Sequence, residues 1–182
     1  MLNGVPTDAA GAGAKRPLPE APAAAPGANA TFAPLEISGS VLNAANPDFI
    51  SHVLKGGDAP GALKSDCDEQ LLFSIDFPAL VKLRELRIEG PDGSTPKTVK
   101  LFLNKTNMAF EDCEDAPATQ ELEFSSEAQT LPLNFVKFQS VSSLTVFVQD
   151  NQEDSDSTSI SRLQLIGVPL HTTNMNDLKK QG

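Results

Sequence analysis

Val99-Lys100-Leu101-Phe102-Leu103 and Leu144-Thr145-Val146-Phe147-Val148 place an apolar side chain at every second position. That period matches the pleat of a β-strand, whose successive side chains point to opposite faces, and not the helical repeat of about 3.6 residues. Similar runs are predicted as strands over Gln70 to Phe77, Val81 to Glu89, Thr98 to Asn104, Gln120 to Phe124, Asn134 to Gln139, Leu144 to Gln149 and Ser159 to Ile166. Between them lie the turn-forming Pro91-Asp92-Gly93-Ser94-Thr95-Pro96, the acidic loop Glu111 to Pro117, Leu131-Pro132, and the polar stretch Asp150 to Thr158. Short strands with turns between them and no convincing helix describe an all-β sandwich or barrel.

Alternation also assigns faces. Val99, Leu101 and Leu103 point one way and Lys100, Phe102 and Asn104 the other; Leu144, Val146 and Val148 likewise oppose Thr145, Phe147 and Gln149. Phe102 and Phe147 thus fall among polar residues on outer faces. Either the lead-in or a loop covers them, or they form an exposed binding patch.

The chain has 182 residues, 40% of them hydrophobic, which suffices for one core with flexible ends. Residues 1 to 34 are rich in Ala, Gly and Pro, with Pro6, Pro17, Pro19, Pro22, Pro26 and Pro34 interrupting any helix; they are expected to be a disordered arm or linker. Residues 35 to 170 carry the strand pattern behind an irregular lead-in anchored by Leu35, Ile37, Val41, Leu42, Phe49, Ile50, Val53 and Leu54. Gly56-Gly57-Asp58-Ala59-Pro60-Gly61 reads as a mobile loop, and residues 171 to 182 as a polar tail ending Lys179-Lys180 before Gln181-Gly182.

A net charge of −10 without clustered Lys and Arg argues against nucleic acid and anionic membrane as partners. A basic protein surface would instead be steered toward the chain. Cys67 and Cys113 form no Cys-x-x-Cys, and the start of the chain carries no signal-like apolar run, so a soluble protein in a reducing compartment is expected. That makes the acceptor patterns Asn29-Ala30-Thr31 and Asn104-Lys105-Thr106 irrelevant to glycosylation.

Asp66-Cys67-Asp68-Glu69-Gln70-Leu71-Leu72 resembles the PITH domain, as do Gly90-Pro91-Asp92-Gly93 with Pro96-Lys97 and Phe135-Val136-Lys137-Phe138-Gln139 with Val146-Phe147-Val148. The blocks continue through Asn151-Gln152, Ile160-Ser161, Ile166-Gly167-Val168-Pro169 and Thr173-Asn174-Met175-Asn176-Asp177, covering the chain from about Leu35 onward. The resemblance implies a jelly-roll β-sandwich similar to galactose-binding domains, attached to the 26S proteasome through its regulatory particle and not itself an enzyme. The thioredoxin domain that some members carry upstream, with its Cys-x-x-Cys, has no counterpart in this sequence, so redox activity is not carried over.

Residue by residue, the expected partner-binding set is Asp66, Cys67, Asp68, Glu69, Gln70, Asn151, Gln152, Asn174, Met175, Asn176 and Asp177. The first five surround a thiol with carboxylates, which makes Cys67 a poor nucleophile and the loop a recognition element for a basic surface; equally, these groups could pin the start of a strand. Asp150 to Asp156 has the oxygen density of a calcium loop but not EF-hand spacing, and is expected to be a hydrated acidic loop. The cluster Glu111-Asp112-Cys113-Glu114-Asp115 is read the same way. His52 and His171 have no neighbouring ligand at zinc spacing. No catalytic residue, cofactor or metal is expected.

The leading functional expectation is therefore a non-enzymatic adaptor in cytoplasm and nucleus. The second is a structural subunit of another large assembly, such as a ciliary axoneme, with the arm threaded along a neighbour. The third is a glycan-binding jelly roll, weakened because the chain has no Trp and no Tyr on which a sugar ring could stack.

Overall fold

A computed structural model describes residues 31–56, 60–91 and 93–170. Its organising element is β4 (Leu71–Glu89), 19 residues long, whose first half opens with Leu71, Leu72 and Phe73 all buried and whose second half interleaves buried with more exposed positions, on either side of an exposed Pro78-Ala79-Leu80. The sequence predicts two strands here, and the two halves do have different partners. Residues 71–76 pair with β2 (Ser38–Leu42) and β8 (Val141–Val148), while residues 81–89 pair with β10 (Arg162–Pro169) and, from Glu85, with β7 (Ala128–Pro132). A register shift between Asp76 and Val81 joins them, and Pro78, which has no N–H to give a ladder, sits inside that irregularity.

β8 pairs in turn with β5 (Thr98–Leu103) and β5 with β6 (Gln120–Glu123), while β1 (Ala33–Pro34) pairs with β10; every pairing is antiparallel. One layer therefore runs β2, first half of β4, β8, β5, β6, and the other β1, β10, second half of β4, β7. Leu71, Phe73, Ile75, Val99, Leu101, Leu144, Val146 and Val148 from the first meet Leu83, Leu86, Ile88, Leu163 and Leu165 from the second in one buried cluster, as two stacked sheets require. Each such side chain stabilises the fold by about 1.5–3 kcal/mol through removal from water.

On the outer face of the first layer Leu72, Phe102 and Phe147 form a second buried cluster with Met108 and Cys113. The covering segment includes the short helix α2 (Phe110–Asp115), with Phe110 edge-on to Phe147 at 6.1 Å between ring centroids. Of the two readings of these phenylalanines, coverage by a loop is the one found. It also explains why β8 is buried at nearly every position: it is central in its sheet and covered on both sides.

Five expectations need correction. Ser159 to Ile166 is not one strand: Ser159–Ile160 pairs in a small separate sheet, and β10 begins at Arg162 and runs on to Pro169. The lead-in is not irregular: it holds β2, a 3-10 turn at Pro47–Phe49 and helix α1 (Ile50–Lys55), whose Val53 and Leu54 are buried and which Gly56 closes at φ 67, a conformation open to a residue without Cβ. The acidic loop from Glu111 is mostly α2, because the Asp112 carboxylate accepts the Ala109 N–H at 2.9 Å and so satisfies a donor at the helix start. Leu131-Pro132 ends strand β7 instead of making a turn; β7 pairs only with β4, so a missing N–H on its free side costs nothing. Asn134 to Gln139 is a turn, not a strand, because the Asn134 side chain accepts the Val136 N–H at 3.0 Å and competes with any ladder.

Among the described residues, Ala33–Pro34, placed with the arm by the sequence reading, already form β1. Expectations for the rest of the arm, for Gly57-Asp58-Ala59 and for residues 171–182 lie outside the described residues.

Candidate functional site

At one end of the sandwich the chain enters β4 through Asp66-Cys67-Asp68-Glu69-Gln70. The organiser of this loop is Asn43, just past β2, which adopts φ 62. Asn is one of few side-chain-bearing residues that accept this conformation readily. Its Nδ2 donates to Asp68 Oδ1 and to the Gln70 carbonyl, both at 2.7 Å, its Oδ1 accepts the Cys67 N–H at 3.1 Å, and its carbonyl accepts the Asp66 N–H at 2.9 Å. Asp68 Oδ1 also accepts the Gln70 N–H at 3.0 Å. Asp68 is therefore engaged in holding the loop, and the Gln70 amide donates to Glu114 on α2 at 3.1 Å. The loop is thus pinned at the start of β4, with Asp66 exposed and Glu69 half-buried.

Thr158 joins this loop to the second predicted segment. Its hydroxyl donates to the Glu69 carbonyl at 2.6 Å and accepts the Asn151 amide at 3.2 Å, while its backbone exchanges hydrogen bonds with Ser65 at 2.9 Å in each direction. Asn151 is fully buried; it donates to the Ser155 carbonyl at 2.7 Å and accepts the Ser155 N–H at 2.8 Å, closing the loop after β8. Gln152 reaches the carbonyls of Ser126 and Pro96 at 3.1 and 3.3 Å. The sequence-predicted residues Asp66 to Gln70 and Asn151-Gln152 are thus brought together, with different roles: the first five reach the surface, whereas Asn151 has no surface to offer a partner. Asn174, Met175, Asn176 and Asp177 lie outside the described residues.

A small two-stranded sheet of β3 (Leu63–Lys64) and β9 (Ser159–Ile160) completes the platform. The Asp150 carboxylate, part of the calcium-like stretch, accepts the Thr98 N–H at 2.7 Å and its hydroxyl at 3.2 Å, so its oxygens serve the β5 start. Among the described residues no cluster of three or more His, Cys, Asp or Glu is arranged to hold a metal. Cys67 is exposed, with its thiol 3.9 Å from Asp66 Oδ2. Cys113 is buried; burial, reinforced by the neighbouring Asp112 carboxylate, pushes its thiol up to about 11. His52 stacks on Phe49 at 5.0 Å, and no nucleophile with an oriented base is assembled among the described residues.

Sequence reasoning missed Asn43, Ser65 and Thr158, and it took Leu42, which precedes Asn43, for a packing anchor, whereas Leu42 is 49% exposed. Leu42 gives the acidic surface an apolar anchor. Its signal was faint: in Ser38-Gly39-Ser40-Val41-Leu42 the half-buried Val41 packs on the core, and pleating turns Leu42 to the other face.

The architecture is a jelly-roll β-sandwich of the galactose-binding type. It is similar to the family 32 carbohydrate-binding module of C. perfringens NanJ in complex with galactose, with TM-score 0.54 and 9% identity over 72% of this chain and 93% of that one. It is also similar to the F5/8 type C domain of a Bacteroides fragilis protein, with TM-score 0.54 and 10% identity over 76% and 98%. At such identities the likeness concerns the fold alone.

Within that class the chain belongs to the PITH domain family, whose profile matches residues 38–182. Similar relatives are Thioredoxin-like protein 1 of Schizosaccharomyces pombe, 40% identical over 127 residues (65% of this chain, 44% of the relative), and a PITH domain-containing protein of Caenorhabditis elegans, 38% identical over 109 residues (58% and 51%). The chain spans about half the length of these curated relatives. Among the described residues no helix is long and apolar enough to cross a membrane.

Proposed function

We propose that this chain is a non-enzymatic adaptor of cytoplasm and nucleus whose loop end docks on the regulatory particle of the 26S proteasome. The observation that carries the reading is the pinned Asp66–Gln70 loop, presenting the Asp66 and Glu69 carboxylates beside the exposed Leu42 on a PITH scaffold. A loop already ordered by Asn43 and Thr158 loses little conformational entropy on binding, and its charge steers a basic surface toward it. Two carboxylates and a leucine form a recognition surface; they are not a reaction centre.

The test is a pull-down with the purified chain beside another PITH protein as positive control. Recovery of regulatory-particle subunits, weakened by raised salt and by Asp66→Lys with Glu69→Lys, supports the reading. A folded chain that recovers none while the control succeeds ends it. A second reading, glycan binding, has in its favour the likeness to a module solved with galactose. Selective, saturable binding on a glycan array would put it first.

A further inference from the structure

Phe135 and Val136 are the most exposed large apolar side chains among the described residues, at 63% and 79%. Scattered apolar side chains on a surface need no account. These two are adjacent, and they stand on a turn tied down from several directions. Asn134 donates its N–H to Gln120 Oε1 at 2.7 Å, Lys137 Nζ donates to the Thr119 carbonyl at 2.9 Å, the Leu83 N–H donates to the Phe138 carbonyl at 2.9 Å, and the Phe138 ring is buried. The turn holds its apolar pair out in one orientation.

The surroundings carry the opposite sign to the molecule. The bonds from Leu83 to Phe138 and from Leu133 to Arg84 (2.7 Å) lay the turn along residues 82–84 of β4. There Lys82 and Arg84 alternate with the buried Val81 and Leu83, so their side chains leave the outer face. Lys137 in the turn, and Lys82 and Arg84 on the β4 residues that the turn runs along, thus bring three cations to this end of a chain of net charge −10. Arg84 has the Glu85 carboxylate at 3.9 Å and lies over the Phe32 ring at 5.0 Å.

We propose that the 134–138 turn docks an acidic protein segment bearing large apolar side chains, which cover Phe135 and Val136 while its carboxylates reach Lys82, Arg84 and Lys137. The position sets this apart from the loop end: β8 starts at Val141 just after the turn and ends at Val148 opposite Leu71, where the Asp66–Gln70 loop begins β4. Charge selects the occupant. The tail of this chain ends in Lys179-Lys180 and brings the wrong sign, a second copy brings a further −10, and three cations do not overcome the repulsion of an anionic bilayer from so acidic a body.

The test uses the full chain and an array of short synthetic peptides in which Leu and Phe are combined with Asp and Glu, with neutral residues, or with Lys and Arg. Acidic apolar peptides are expected to bind, with affinity falling about tenfold or more for Phe135→Ser with Val136→Ser. Lys82→Glu with Lys137→Glu, substitutions at solvent-facing positions, should switch preference to the basic apolar peptides. Asp66→Lys with Glu69→Lys should leave this binding intact even if proteasome recovery is lost, which separates the two surfaces. The proposal is overturned by absence of binders, by preference of the unmodified chain for basic peptides, by self-association that Phe135→Ser abolishes, or by capture on phosphatidylserine vesicles that the same change abolishes.

Discussion

The two ends of β8 show two ways of building a surface. At the Val148 end, Asn43, Asn151 and Thr158 engage the loops with one another, and what reaches solvent is carboxylate plus one leucine. At the Val141 end, Asn134 and Gln120 hold a short turn, and what reaches solvent is an apolar pair bordered by cations. In both, side-chain amides fix the backbone so that a neighbouring group of different chemistry can be displayed. About 25 Å of strand separates them, since β8 has eight residues rising about 3.3 Å each. The two proposals together give one body two partners of opposite charge.

The sharpest test lies within one turn. Phe138→Ala should cost about 3–5 kcal/mol in denaturant unfolding because it empties a buried ring site, whereas Phe135→Ala should change stability by less than about 0.5 kcal/mol. Equal losses would mean that the exposed ring is structural and would remove the contrast between the ends. Next comes Asn151→Ala, expected to cost about 2–3 kcal/mol and to speed hydrogen exchange at the Ser155 amide, because Ser155 N–H and the Ser155 carbonyl lose their partner.

Asn43 divides backbone from side chain. Asn43→Gly keeps the φ of 62 available and should cost about 1 kcal/mol for the lost bonds to Asp68, Gln70 and Cys67; Asn43→Ala should cost about 1–2 kcal/mol more, since Ala resists that conformation. Matching values would show that the φ of 62 carries no cost for Ala, and an Asn43→Gly variant as stable as the parent would show that the loop is not held from the Asn43 side chain. Smaller again is the thiol effect. Cys113 has its pKa raised from 9.0 to about 11, so the stability it contributes is full below pH 9.0 and is lost as pH climbs toward about 11. Iodoacetamide near neutrality should label Cys67 in the native protein and Cys113 only after unfolding, read by mass spectrometry. Gln70→Ala, which removes one exposed bond to Glu114, should change stability by about 0.5 kcal/mol or less.

Period-two alternation was enough to place β5 and β8, face assignments included, because each residue's direction follows from local pleating. Composition misled at Phe135-Val136-Lys137-Phe138, where aromatic and β-branched residues favour a strand that does not pair: the deciding interaction is an Asn134 side chain that strand propensity does not weigh. Asp66 to Gln70 could be recognised as a polar signature. Its fastening could not, since Asn43 lies 25 residues from Asp68 and Thr158 lies 89 from Glu69, contacts that only the completed fold creates. α2 escaped notice because its buried contribution is essentially Cys113, too little to register as a periodic stripe.

The long shared strand has a bearing on biosynthesis. β2 is made before β4, but β8 and β10 follow Glu89 by about 50 to 80 residues. At a ribosomal pace of about 5–20 residues per second, β4 waits several seconds with one flank of its first half and both flanks of its second unpaired. A nineteen-residue strand left with open flanks for that long is a template for cross-chain pairing until the residues up to Pro169 have been made.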